Sequence, residues 1–137
     1  MSTELFYLVL TAILTGFLWI PFVIGLVGTR GLLTPKDYKV APTSPLPHWV
    51  NRANRAHQNA VESFAPFAAI VLVGAILDVS SPITIACTAI FFFARLGHAI
   101  AHISGFSKFM ARTVLFSISS TAFGVLAIET LRLGMQV

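Results

Sequence analysis

The sequence predicts an all-α integral membrane protein: a four-transmembrane-helix up-and-down bundle with both termini on the non-cytoplasmic side. Three observations predict it. Hydrophobic residues make up 56% of the 137-residue chain and charged residues only 10%, with a mean hydropathy of +0.85. Soluble domains carry about 25% charged residues, so this chain has too little polar surface to coat a globule in water. The apolar residues also fall into four long runs, and Lys and Arg gather in the first and third of the segments between them. An excess of 9 Lys+Arg over 5 Asp+Glu gives a net charge of +4. Those cations are dispersed among apolar runs, without the clustered stripe that reads phosphate, which argues against nucleic acid as a partner. The apolar content excludes disorder. Cys87 is the lone cysteine, so no intrachain disulfide forms and the redox compartment stays open.

The first span, approximately residues 4–28, rests on the charge-free stretch Leu5 to Val27, about 23 residues and roughly 34 Å as a helix. The lead Met1-Ser2-Thr3-Glu4 lacks the basic n-region of a cleavable signal. Pro21 is expected to kink this helix rather than end it. The second span, approximately 50–77, is built on Ser63–Leu77 and must recruit Arg55 to Glu62; it starts near Trp49 and bends at Pro66. The third, approximately 82–103, recruits Arg95 to His102, and the fourth, approximately 109–132, recruits Arg112. Asp78 to Pro82 reads as a tight turn, and Ser104 to Lys108 joins the last two helices. Residues 29–49 form the one long loop, where Pro35, Pro42, Pro45 and Pro47 deny a continuous helix. Tyr38 and Trp49 are its candidate interface anchors. Residues 1–137 thus read as a single four-helix transmembrane domain.

Orientation follows from the basic residues. Arg30, Lys36, Lys39, Arg52 and Arg55 flank or occupy the first loop, and Lys108 and Arg112 the third, whereas the N-terminus and the Asp78 turn carry none. The first and third loops therefore face the cytoplasm. No motif separates a bacterial inner membrane from an endoplasmic reticulum-type one.

In such a bundle Arg30, the Arg55–Glu62 stretch, the Arg95–His102 stretch and Arg112 all fall at the cytoplasmic end. Arg55, Asn59 and Glu62 share one helical face by their i, i+4, i+7 spacing, and Arg95, His98 and His102 share another. Ionisable groups at membrane depth are costly and face the bundle interior, a subunit interface or a polar cavity. Arg55–Glu62 or Arg95–Glu62 could satisfy each other as ion pairs. Lys36, Lys39, Lys108 and Arg132 read as topogenic or snorkelling charges, and Phe91-Phe92-Phe93 as facing lipid and neighbouring helices. Three chemistries compete for the polar residues. Arg112 at a helix N-terminus suits an anion site, because a cation there needs a negative partner. His98 and His102, with Glu62 as a third ligand, could hold a metal, although the nearby arginines oppose a dication and no metal is assigned. An ion or proton pathway has little support, since no charge lies beyond one end.

Arg55-Ala56-His57-Gln58-Asn59-Ala60-Val61-Glu62-Ser63-Phe64-Ala65-Pro66-Phe67 closely resembles the signature R-A-H-x-N-x-x-E-x-x-x-P-F of the MAPEG family, the membrane-associated proteins in eicosanoid and glutathione metabolism. Arg95-Leu96-Gly97-His98-Ala99-Ile100-Ala101-His102 is similar to the family's R-x-x-H-x-x-x-Y pattern, and Arg112-Thr113 stands where the family places Arg-Ser or Arg-Thr. Three positions depart from the pattern. Gln58 replaces a basic residue of several eukaryotic enzymes, His102 replaces a tyrosine, and Phe116 stands where some members carry a tyrosine.

The resemblance implies a homotrimer with sites between adjacent subunits near the cytoplasmic face, and glutathione as co-substrate. It further implies that Arg112 stabilises the glutathione thiolate as the catalytic residue. Arg55, Asn59 and Glu62 would grip the tripeptide, with His98 and Thr113 alongside and Arg95 and His102 completing the cofactor-binding set; Arg30 joins it by position only. The function so implied is a membrane-bound glutathione-dependent transferase or peroxidase acting on lipophilic electrophiles that reach it from the bilayer, with membrane lipids as further partners. The alternatives are a non-catalytic lipid-binding or scaffold member of the same fold and, third, a metal-binding membrane bundle.

Overall fold

Pro21 decides the shape of the first span. It has no N–H to offer the Phe17 carbonyl, and its ring crowds that oxygen. Helix α1 (Thr3–Phe17) accordingly stops at Phe17, and α2 (Ile20–Arg30) resumes with the proline in its first turn. Leu18 and Trp19 between them keep right-handed helical dihedrals, so the pair runs on as one span with a loosened turn. The expected kink within a continuous helix is therefore a two-residue break in the hydrogen-bonded ladder. The computed structural model describes residues 1–37, 39–40 and 43–136. The expectations for Tyr38 as an anchor and Pro42 as a breaker lie outside those residues.

Helix α3 (His48–Ile76) follows Pro47 and carries Pro66 in its interior without interruption; the proline leaves the Glu62 carbonyl without its i+4 donor. Helix α4 (Pro82–Ser104) starts from a capping box. The Ser81 side chain accepts from the Thr84 N–H, the Thr84 side chain accepts from the Ser81 N–H, and Pro82 opens the helix. It ends at Gly105, whose φ of +77° is the left-handed cap that glycine adopts without strain. A short 3-10 turn at Lys108–Met110 leads into α5 (Ala111–Gly134). Phe109 and Met110 both have left-handed dihedrals, so the regular helix begins two residues later than 109. That shift makes Arg112 its second residue.

No strand occurs among the described residues, and four helices are long and apolar enough to cross a membrane: Thr3–Arg30, His48–Ile76, Pro82–Ser104 and Lys108–Gly134. The chain is an integral membrane protein. Helix α4 packs on α1, α3 and α5, most extensively on α5. At the centre Phe67, fully buried, stacks on Phe91 with ring centroids 3.9 Å apart and planes within 6°. Leu8, Val71, Ala122 and Leu126 close around that pair. The Phe91–Phe93 run is split by the helix: Phe91 enters the core, Phe92 is half-buried and Phe93 is exposed. Where α2 crosses α3, a Cβ on Gly25 would lie 2.4 Å from Val50 Cγ2 and 2.7 Å from the Trp49 ring. Trp49 thus packs against the first span as well as standing at the head of α3. Ile24, Ile76, Phe93 and Ile128 project outward as an apolar exterior suited to acyl chains.

Side-chain bonds reveal the alternation of the helices. Glu4 of α1 meets Ser80 and Thr84, and Ser81 meets Glu129 of α5, so both chain ends share one end of the bundle with the α3–α4 turn. At the other end Arg52 Nε donates to the Ile103 carbonyl at 3.3 Å.

Candidate functional site

The first turn of α5 supplies one wall of the site. Its N-cap, Met110, makes no side-chain capping bond, the Ala111 N–H is taken by the Lys108 carbonyl, and the helix start presents the positive end of its dipole. Arg112 and Thr113 sit there. Facing them, His98 and His102 lie one turn apart on α4 with ring centroids 5.5 Å apart, and the Phe116 ring is 6.3 Å from His98. These five residues line an open cleft of about 310 Å³. Arg112, Arg55 and Arg52 all lie close enough to act electrostatically on the His102 ring. The cleft is cationic, and it opens at the positive end of the α5 dipole.

Arg95 lies one turn before His98 on α4, only 4% exposed. Its Nη2 donates to the Asn59 carbonyl at 2.9 Å and to Asn59 Oδ1 at 2.7 Å. Arg95 also reaches a recess of about 100 Å³ beneath the cleft, whose walls include Pro66, Phe91, Phe116 and Phe123. Phe116 lines both spaces, so a largely apolar chamber adjoins the cationic one.

Of the residues singled out from the sequence, His98, His102, Arg112 and Thr113 come together in the cleft, and Arg95 is joined to Asn59. Arg55 and Glu62 do not line it. Both are exposed on α3, with the half-buried Asn59 between them. Arg30, at the end of α2, donates to the Ser44 carbonyl of the long loop. The considered ion pairs Arg55–Glu62 and Arg95–Glu62 do not form, because the Arg95 guanidinium is taken by Asn59 and the other two side chains point outward. The ion pair among the described residues is instead Arg132 to Glu129, 2.8 Å apart.

Arg52 escaped the site reading of the sequence, where it counted only toward topology. Its guanidinium reaches under the end of α4, 3.0 Å from where a Cβ on Gly105 would stand. Its three-residue spacing from Arg55 on a helix was the available signal.

Compared with protein-family models, residues 5–132 match that of the MAPEG family. No curated protein matches the chain.

Proposed function

Because the chain belongs to the MAPEG family, which includes glutathione transferases and related proteins, we propose that it is a membrane-bound glutathione-dependent transferase or peroxidase acting on lipophilic electrophiles. The observation that carries this reading is the gathering of Arg112, Thr113, His98 and His102 around one open cleft at a helix N-terminus. Arg112 stabilises the thiolate. A free thiol has a pKa of about 8.5, and lowering it to about 6.5 takes roughly 2.7 kcal/mol. A guanidinium at the positive end of a helix, partly shielded from water, is suited to supply that.

Arg55, Asn59 and Glu62 bind the tripeptide, with Glu62 taking its amino group and the arginines its two carboxylates. Arg55 and Glu62 are exposed on a membrane helix, an arrangement that favours cover by a second copy. We read the assembly as a homotrimer with sites between adjacent subunits. The apolar recess beside Phe116 receives the electrophile from the bilayer. The excess of Lys and Arg at the cleft end turns that end toward the cytoplasm and leaves both termini on the other side.

The test is ultraviolet difference absorbance of the solubilised protein during a glutathione titration near neutral pH, with Arg112→Ala alongside. A saturable thiolate band that disappears in the variant is expected. Absence of both the band and calorimetric binding in the wild type would turn the reading to a non-catalytic lipid-binding protein.

A further inference from the structure

The end of the bundle opposite the cleft holds a second polar cluster that the proposed reaction does not use. Glu4, in the first turn of α1, is only 7% exposed. Its Oε1 accepts from Ser80 Oγ at 2.7 Å and from Thr84 Oγ1 at 2.8 Å. Its Oε2 is buried and has no hydrogen-bond partner among the described residues. Two helix starts bear on this carboxyl, since Glu4 lies in the first turn of α1 and Thr84 in that of α4. Both dipoles favour its charged form. A buried carboxylate with one bare oxygen calls for a cationic donor. At the same end of the bundle, Arg132 is already held by both oxygens of Glu129 at 2.8 Å.

Glu4 lines a cavity of about 160 Å³ with Asp78, Ser2 and Thr130 on its polar side and Ile70 and Leu126 on its apolar side. Two carboxylates exclude an anion. Among the described residues no three His, Cys, Asp or Glu side chains come together to hold a metal ion, and a bare ion would leave the apolar wall without a partner. We propose that this cavity binds a primary alkylammonium group, the chemistry shared by free ethanolamine and an ethanolamine lipid headgroup. The three N–H donors of such a group suit Glu4 Oε2, Asp78 and the hydroxyls, while its methylenes lie on Ile70 and Leu126. A quaternary ammonium has no N–H and cannot satisfy Oε2.

The test uses the full-length protein in detergent. Thermal unfolding is followed with ethanolamine hydrochloride, choline chloride or sodium chloride at equal ionic strength. Lipids retained from mixed phosphatidylethanolamine and phosphatidylcholine vesicles are counted by native mass spectrometry. The expected result is a midpoint raised by ethanolamine but by neither other salt, or phosphatidylethanolamine retained about tenfold over phosphatidylcholine, the ratio that roughly 1.4 kcal/mol gives. A response to the lipid alone identifies the headgroup as the source, and a response to ethanolamine alone identifies the free amine. Glu4→Gln keeps an oxygen for Ser80 and Thr84 and should abolish either response. Should that variant not fold, Asp78→Asn, at the rim, is expected to weaken the response. Equal effects of choline or sodium, no response in either assay, or an undiminished response in a folded Glu4→Gln protein would overturn the proposal.

Discussion

The Arg95 guanidinium closes on Asn59 with two hydrogen bonds from one nitrogen, at 2.9 Å to the backbone oxygen and 2.7 Å to the side-chain oxygen. This contact fastens α4 to α3 one turn away from the cleft. A hydrogen bond to a buried charged group is worth about 1.5–3 kcal/mol. Asn59→Leu keeps the side-chain volume and the carbonyl acceptor but removes Oδ1, so it should lower unfolding stability by an amount in that range. Arg95→Met in the same background should cost less than the sum of the two single changes, because both polar partners are then gone. Additive losses in a denaturant series would show that the two side chains act separately.

The architecture was legible because its signals are local. Charge-free runs mark the spans, and Ser81-Pro82 followed by Thr84 writes a helix start into adjacent residues. The i, i+3 and i, i+4 spacings of Arg95, His98 and His102 put them on one face of α4 whatever surrounds it. Tertiary relationships were not legible in the same way. Nothing local joins Glu4 to Ser80 and Thr84, and nothing in the spacing on α3 tells that Asn59 turns toward Arg95 while Arg55 and Glu62 turn outward. The break at Leu18–Trp19 has a local cause too, since the carbonyl four residues before Pro21 is that of Phe17. The late start of α5 depends on left-handed Phe109 and Met110, which no turn residue announces. Glu129 and Arg132 have the i, i+3 spacing of a helical pair, a signal that a count of charges does not use.

Gly105 tests the end of α4. Its φ of +77° costs an L-residue about 1–2 kcal/mol, and a Cβ there would meet the Arg52 guanidinium at 3.0 Å. Gly105→Ala should therefore lower the unfolding midpoint and displace Arg52 from the Ile103 carbonyl. Arg52→Ala should lose that bond without the backbone strain. An alanine at 105 that leaves the midpoint unchanged would contradict the strain argument.

The loop has a pH-sensitive turn. Asp37 Oδ2 accepts from the Thr34 hydroxyl at 2.7 Å and from the Thr34 N–H at 2.6 Å. These bonds hold its carboxyl below the ordinary value of 3.8, the hydroxyl contributing first and the N–H second. The sign follows from the folded value lying below the unfolded one: the turn's contribution is fully present above pH 3.8 and is lost as pH falls through the folded value. The Thr34 amide signal should titrate with a midpoint below 3.8, and Asp37→Asn should remove that titration. A midpoint above 3.8 would reverse the assignment.

Glu62 and Arg55 separate a binding role from a packing role. Both side chains are exposed on α3 and make no side-chain hydrogen bond among the described residues, so little intramolecular stability depends on them. With no intramolecular partner to lose, removing either charge should leave the isolated fold as stable as before or more so. Glutathione, on the reading proposed above, is held by these same groups. Losing one charge-assisted bond worth about 1.5–3 kcal/mol weakens binding by about 10- to 150-fold. Glu62→Gln should thus bind glutathione at least tenfold more weakly by calorimetry, with its unfolding midpoint unchanged or raised. Arg55→Gln should behave alike. If the midpoint fell in step with affinity, Glu62 would be holding helices together rather than holding the tripeptide, and the amino group of glutathione would need another partner.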